Sequence, residues 1–116
     1  MPAGSLMEAF EIADVELRRR AHGVLYQEFL RKPSLSAGLY VLAAGATDPQ
    51  RPHGEDEVYL VLRGRGRISV AGEDHTVEAG SVVYVPARAE HRFHSIAEEL
   101  CIAVFFAPAE GSAARG

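Results

Sequence analysis

Short apolar segments, separated by turn residues every few positions, follow one another along the chain from residue 24 to residue 106. Many short strands with close turn signals are typical of an all-β sandwich or barrel. No stretch alternates a strand with a long helix, which argues against a doubly wound α/β fold. The predicted strands are residues 24–30, 35–43, 50–53, 57–62, 67–70, 75–77, 81–85, 91–95 and 100–106.

A helical pattern is convincing at one place only, before the strands begin. Asp14 offers its carboxylate as the helix N-cap, and Gly23 can end the helix. The sequence therefore predicts an all-β antiparallel barrel with one short N-terminal helix. We expect a single domain over residues 1–108, and a flexible tail over residues 109–116 because that segment is rich in Ala, Gly and Ser.

Two predicted strands, residues 57–62 and 100–106, are apolar at nearly every position instead of alternating. A strand of this kind must be covered on both faces. One face would line the barrel interior, and the short chain offers little material to cover the other. We therefore predict a homodimer.

Composition argues against some classes of partner but does not indicate a function. The chain has 116 residues and a formal net charge of −4, and no cluster of Lys and Arg is large enough to follow a phosphate backbone. We expect no nucleic-acid partner. The single cysteine, Cys101, fits a reducing compartment, and no apolar run approaches the length of a membrane span. Cytoplasmic localisation without a membrane partner is the expectation.

The first residues that could bind a metal ion are His53 and Glu57, which are separated by turn residues at positions 54–56. In one straight strand these side chains would be about 13 Å apart, too far to share an ion. Across a hairpin, opposed Cβ atoms lie about 4.5 to 5.5 Å apart. We therefore predict a strand, a tight turn and a second strand, with a third group, His91, supplied from elsewhere in the fold.

These residues resemble the two signature motifs of the cupin superfamily of small β-barrels, of the conserved-barrel type. The end of the first motif is similar to the segment that contains His53, Glu57 and Gly64, with three residues between the first two and six between the last two. The second motif is similar to the segment in which Gly80 is followed, after five residues, by Pro86 and then by His91. The resemblance covers residues 35–106 and implies a double-stranded β-helix, or jelly roll, with a metal ion inside the barrel.

The chain departs from the family pattern at three positions. Arg51 stands where the first histidine of the family's HXH pair falls, Arg88 replaces a glycine, and Ser95 stands where the family often has Asn. A guanidinium has no lone pair to donate, so Arg51 is not a ligand. The resemblance thus implies a reduced ligand set of His53, Glu57 and His91, with Gln50 as a weak fourth ligand if a bulge turns it inward.

Two histidines and one carboxylate form the facial triad that holds non-haem Fe(II) and leaves positions open for substrate and dioxygen. The same set binds Zn²⁺ in hydrolytic sites, and Mn²⁺ or Ni²⁺ is compatible with it because occupancy depends on metal supply. The other interpretation is a cupin that has lost its metal, with both histidines hydrogen-bonded inside the barrel.

Two further residues are candidates for a role beside the ion. If Glu57 points inward, so does Tyr59, whose hydroxyl would lie near the metal or simply belong to the core. Arg51 would bind a substrate carboxylate if it faces the pocket, and solvent is the equal alternative. We predict a metal-dependent enzyme acting on a small organic molecule, dioxygenase-like first and isomerase or hydrolase second. The alternative is a non-catalytic cupin that binds or senses a small ligand.

Overall fold

The computed structural model describes residues 6–113, so residues 1–5 and 114–116 lie outside the described residues. One helix precedes six strands in the described chain. They are α1 (Ile12–His22), β1 (Tyr26–Lys32), β2 (Leu35–Leu42), β3 (Asp56–Val70), β4 (Glu73–Glu78), β5 (Val82–Val85) and β6 (His91–Ala107). The predicted all-β fold with one short N-terminal helix is confirmed.

The strands form one antiparallel sheet in the order β1-β2-β6-β3-β4, with β5 paired to β3. The first half of β3 pairs with β5 and the last part of β6, whereas its second half pairs with β4 and the first part of β6. Side chains from both halves meet in one core, in which Tyr59 and Ile102 pack in the same cluster as Ile68 and Phe93. The sheet therefore closes on itself around that core, as a barrel does.

Two predicted breaks do not end a strand. The segments predicted at 57–62 and 67–70 are continuous in β3, and those predicted at 91–95 and 100–106 are continuous in β6. The β3–β6 register shifts between Val61 and Arg67. Bulges absorb the turn residues at these positions, because a bulge bends a strand without ending its pairing.

Gly64 is the residue that this bend requires. Its φ of 97° lies in a region that L side chains rarely adopt. A Cβ atom there would lie 2.0 Å from the carbonyl oxygen of Glu99 on β6. The glycine that ends the first motif therefore serves the close approach of two strands.

Helix α1 covers part of the outer face of the sheet. Val15 packs with Leu39 and Val41 of β2 and with the buried Cys101 of β6 in a second apolar cluster. The helix thus covers the outer side of the sheet at Cys101, the second residue of the predicted strand 100–106. Among residues 6–113, no helix is long and apolar enough to cross a membrane.

The predicted start of the helix is wrong and its predicted end is confirmed. The N-cap residue is Glu11, whose side chain makes no capping bond, and Asp14 lies within the first turn. A carboxylate in the first turn interacts favourably with the helix dipole, which explains an acidic residue there without a cap. Gly23 ends the helix in the left-handed conformation, with a φ of 66°.

The segment predicted as a flexible tail begins with contacts to the barrel. Ala109 is 2% exposed, the backbone N–H of Glu110 donates to Ser36 Oγ, and the N–H of Ala113 donates to a carboxylate oxygen of Glu55. Residues 114–116, the rest of the predicted tail, lie outside the described residues. The boundary at residue 108 stays a prediction.

Candidate metal centre

His53 lies in an irregular segment before β3, so the predicted hairpin strand at residues 50–53 is wrong. A different loop holds it in place. The backbone N–H of Arg88 donates to the carbonyl of His53 at 2.6 Å, and the N–H of Ala87 donates to Asp56 Oδ1 at 2.8 Å. These bonds fasten the loop before β6 to the loop before β3, and so bring the two motifs together.

Glu57 and His91 stand near the starts of the two long strands. Glu57, the second residue of β3, is 1% exposed, and His91 opens β6. Glu57 Oε1 lies 3.2 Å from His91 Nε2 and 3.9 Å from His53 Nε2. One ligand atom from each of the three residues lies within 4.8 Å of the others, so the group is able to hold a metal ion.

The spacing and the hydrogen bonds of this group fit a metal ion. Ligand atoms about 2.0 to 2.2 Å from a shared ion lie roughly 3.0 to 3.5 Å from one another, close to the shorter distance found here. Glu57 Oε2 and His91 Nε2 are buried and have no hydrogen-bond partner among the described residues. His91 Nδ1 lies 2.9 Å from the carbonyl oxygen of Ala89, which can only accept a proton. In the neutral imidazole, a proton on Nδ1 leaves Nε2 with a lone pair that faces the group.

The electrostatics of Glu57 agree with this fit. Burial raises the pKa of Glu57 from an ordinary 4.5 to about 7, although the Tyr59 hydroxyl and His53 pull its pKa down. A positive charge close to the carboxylate would lower this pKa, so the raised value indicates that the buried carboxylate is not neutralised by the protein. A divalent cation between Glu57 and the two histidines would supply that charge.

Tyr59 is inward-facing, as the strand parity predicts, and fully buried. Its hydroxyl donates to Gln50 Oε1 at 3.1 Å, and Gln50 Nε2 donates to Asp48 Oδ2 at 2.8 Å. Asp48 also accepts bonds from the Tyr40 hydroxyl at 2.5 Å and from the backbone N–H of Phe93 at 2.9 Å. Burial, the largest cause, raises the pKa of Tyr59, so its hydroxyl stays protonated.

This network gives Gln50 and Asp48 roles that sequence reasoning did not assign. The oxygen of Gln50 that was a candidate fourth ligand accepts the bond from Tyr59. Asp48 is 7% exposed and ties β2, β6 and the loop at Gln50 to one another. No local pattern marks Asp48, because its partners come from three separate parts of the chain.

Arg51 lies beside the group and not in it. Its exposed side chain lines a groove of about 500 Å³ together with Gln50, His91 and Arg92. Within residues 6–113, no carboxylate lies at ion-pair distance from Arg51. The guanidinium is therefore available to an anion that enters the groove.

A second cavity, of about 310 Å³, is lined by His53. Its walls include Tyr26, Tyr40, Phe106 and Glu110. The Tyr26 hydroxyl is buried without a hydrogen-bond partner among the described residues. Aromatic walls with few polar groups are typical of pockets for small organic molecules.

Comparison with known proteins assigns a family to this arrangement. The family model that describes the cupin domain matches residues 38–106. A protein of Streptomyces coelicolor, described as uncharacterised, is 49% identical over 104 residues, which make up 90% of this chain and 99% of that protein. The match extends well beyond the two short motifs, over nearly the whole of both chains.

Solved structures share the fold. A protein of Thermus thermophilus superposes with a TM-score of 0.69 at 23% identity, over 89% of this chain and 99% of that one. KdgF from a Halomonas species has a TM-score of 0.65 at 19% identity, over 72% of this chain and 76% of its own. An RmlC-like cupin from Shewanella frigidimarina has a TM-score of 0.65 at 22% identity, over 72% and 75%. At these identities the likeness shows the fold alone.

Proposed function

The chain belongs to the cupin family, and on this premise we propose that it binds one divalent metal ion and uses it to transform a small organic molecule. The ligands are His53, Glu57 and His91. Dioxygenase-like oxidation is the leading reaction class, with isomerisation or hydrolysis second. Fe, Zn, Mn and Ni all suit this ligand set.

One observation carries the proposal. Glu57 Oε2 and His91 Nε2 are buried without a hydrogen-bond partner among residues 6–113, and both residues belong to the group of three whose ligand atoms lie within 4.8 Å of one another. An unsatisfied buried polar atom costs about 1 to 3 kcal/mol, and more for a charged group. A metal ion bound by the Glu57 carboxylate and His91 Nε2 would offset this cost, whereas a barrel that had lost its metal would keep it.

The ion would supply Lewis acidity and open positions for substrate. The chain's own residues would bind and position the substrate. Tyr59 keeps its proton, Gln50 is fixed by Asp48, and the aromatic cavity that His53 lines offers apolar contacts to a substrate. Arg51 is the candidate for holding a carboxylate of the substrate in the groove beside His91.

Elemental analysis of protein purified without chelators tests the metal. We expect close to one ion per chain in the wild type and loss of that ion in His53→Ala. His75→Ala is the matched control, because His75 is exposed and its ring contacts only a neighbouring backbone carbonyl. A metal-free wild type, or equal metal content in His53→Ala and wild type, would refute the proposal.

A non-catalytic binding cupin is the second candidate, favoured by the aromatic cavity and by the missing fourth ligand at Arg51. An enzyme of the proposed kind needs an exchangeable position on the ion, whereas a binder does not. Adding azide to the Co²⁺-substituted protein separates the two. A change in the visible absorption of cobalt supports the enzyme, and an unchanged spectrum supports the binder.

The homodimer is also a proposal, and the outer face of the sheet supports it. Val58 pairs with Tyr84 and Phe105, and Leu60 pairs with Val82, which places these apolar side chains next to one another. Val82 is 66% exposed and Tyr84 is 58% exposed. Helix α1 covers the neighbouring part of this face but not this patch. Cytoplasmic localisation stays a prediction.

A further inference from the structure

The chain beyond β6 forms a short strap across the barrel, residues 109–113. Its first residue, Ala109, is buried, and the N–H of Glu110 donates to Ser36 Oγ at 2.9 Å. Arg31 donates to the carbonyl of Glu110 at 2.9 Å. Ser36 is 0% exposed, so the strap is anchored to a rigid part of β2.

The far end of the strap is anchored on a buried carboxylate. The N–H of Ala113 donates to Glu55 Oε2 at 3.0 Å, and Glu55 is 2% exposed. Glu55 precedes β3 by one residue and lies two residues from each of His53 and Glu57. The strap is therefore fastened to the same loop that carries the candidate ligands.

Between these anchors, the strap brings the Glu110 carboxylate to His53. Glu110 Oε2 lies 3.9 Å from His53 Nδ1, on the side of the ring away from Glu57. Glu110 is half-buried in the wall of the aromatic cavity. The His53 ring makes no hydrogen bond among residues 6–113, and Glu57 and Glu110 are the carboxylates within ion-pair distance of it.

The two histidines have similar surroundings, although only His91 makes a hydrogen bond at Nδ1. His91 has an oxygen acceptor, the carbonyl of Ala89, at Nδ1, and its Nε2 faces Glu57. His53 has the Glu110 carboxylate near Nδ1, and its Nε2 also faces Glu57. A metal-ligating histidine donates its other N–H to such an oxygen, which fixes the tautomer and orients the ring.

We infer that Glu110 is a positioning residue that accepts the Nδ1–H of His53 and so presents Nε2 to the metal. The inference rests on the proposed metal site. A closing movement of about 1 Å brings the pair from its present distance to a normal N–H···O bond. The strap, which follows the matched cupin segment 38–106, thereby becomes part of the site.

Three variants test this inference. Glu110→Ala removes the acceptor, Glu110→Gln keeps an acceptor oxygen without the charge, and Glu98→Gln is the control. Glu98 is an exposed carboxylate on β6 that pairs with Arg65. Zn²⁺ affinity is measured by competition with a chelator, and the tautomer of His53 in the metal-free protein by ¹⁵N NMR of the imidazole nitrogens at pH 8.

We expect Glu110→Ala to weaken Zn²⁺ binding by about 10- to 100-fold, with a smaller loss in Glu110→Gln and none in Glu98→Gln. We also expect the Nδ1–H tautomer to dominate in wild type and the Nε2–H tautomer to gain population in Glu110→Ala. Urea midpoints confirm that the variants are folded.

The two readouts separate this inference from the proposed function. Unchanged Zn²⁺ affinity together with an unchanged His53 tautomer in Glu110→Ala overturns the role of Glu110 and leaves the metal site intact. A wild type that binds no Zn²⁺ refutes the metal site. A tautomer shift in Glu110→Ala would then still show that Glu110 orients His53.

Discussion

At the scale of single residues, the site is defined by atoms that the protein leaves without partners. Glu57 is buried, carries a raised pKa and lies 3.2 Å from a histidine nitrogen, His91 Nε2, that has no hydrogen-bond partner among the described residues. A core that served stability alone would place an apolar side chain there, since burying a carboxylate without a partner is costly. The proposed metal ion would compensate for this cost.

The buried carboxylate has a measurable effect on stability in chelator-treated protein. The pKa of Glu57 is about 7 when folded, against an ordinary 4.5, so between these pH values the folded state holds more protons than the unfolded state. The unfolding free energy should therefore fall as pH rises from about 4.5 to 7, by up to about 3 kcal/mol from this group. Urea unfolding at a series of pH values measures it.

Glu57→Gln is the variant that isolates the effect. The amide does not titrate, so most of the loss of stability between pH 4.5 and 7 should disappear. Burial also raises the pKa of Glu110, so a smaller decline in the same direction should remain. An equally steep decline in Glu57→Gln would show that another group is responsible.

At the scale of elements, each of the two long strands, β3 and β6, is continuous over two of the short strands that the sequence pattern predicts. β3 has 15 residues and β6 has 17, and each contributes a ligand near its first residue and core side chains along its length. Their pairing passes through a series of bulges around Gly64. We therefore expect the positions of the ligands to depend on a bend that lies far from them along the strand.

Gly64→Ala should test this dependence. The new Cβ would lie 2.0 Å from Glu99 O, so we expect a loss of about 1 to 3 kcal/mol from overpacking in addition to backbone strain. Gly72→Ala is the matched control, because Gly72 has a φ of 85° but nothing within 4 Å of the added carbon. Chemical denaturation of both variants separates the clash from the strain.

If the two variants lose the same stability, the close approach of β3 and β6 at Gly64 is not a constraint. If only Gly64→Ala is strongly destabilised, its metal affinity should also be measured. A weaker site in a folded Gly64→Ala protein would show that the bend positions Glu57 and His91.

At the scale of the whole molecule, the barrel has one outer face that is only partly covered. Helix α1 packs on β2 and β6, and the patch formed by Val58, Leu60, Val82, Tyr84 and Phe105 lies beyond it. A second copy of the chain would cover an apolar patch on each molecule in the same contact, as two-fold symmetry requires. The proposed dimer therefore has a specific location.

Tyr84→Asp should dissociate this dimer, because a charge buried at the centre of an apolar contact must lose its hydration. Light scattering at micromolar concentration should give the dimer mass for wild type and the monomer mass for Tyr84→Asp. Leu17→Glu is the control, since Leu17 is 63% exposed on α1, outside the patch. A wild-type monomer would refute the dimer, and a dimer that persists in Tyr84→Asp would place the contact elsewhere.

Local patterns predicted much of this protein because the underlying physics is local. Alternating and continuous apolar runs mark strands, a glycine in the left-handed conformation ends a helix, and strand parity turns Tyr59 and Phe93 inward. The candidate ligands were also predictable, since His53, Glu57 and His91 stand at the positions that the resemblance to the two cupin motifs implies. The wrong hairpin before Glu57 arose because a local turn was assumed where a distant loop holds His53.

By itself, then, the sequence determined the fold class, the family and the identity of His53, Glu57 and His91 as the candidate ligands. Only the tertiary structure decided that two pairs of strands are continuous, that Asp48 fixes Gln50, and that the strap brings Glu110 to His53. These features depend on contacts between residues far apart in the chain, and Glu110 lies 57 positions from the histidine that it faces. No periodicity or motif encodes such a contact, because its energy exists only once the barrel has closed.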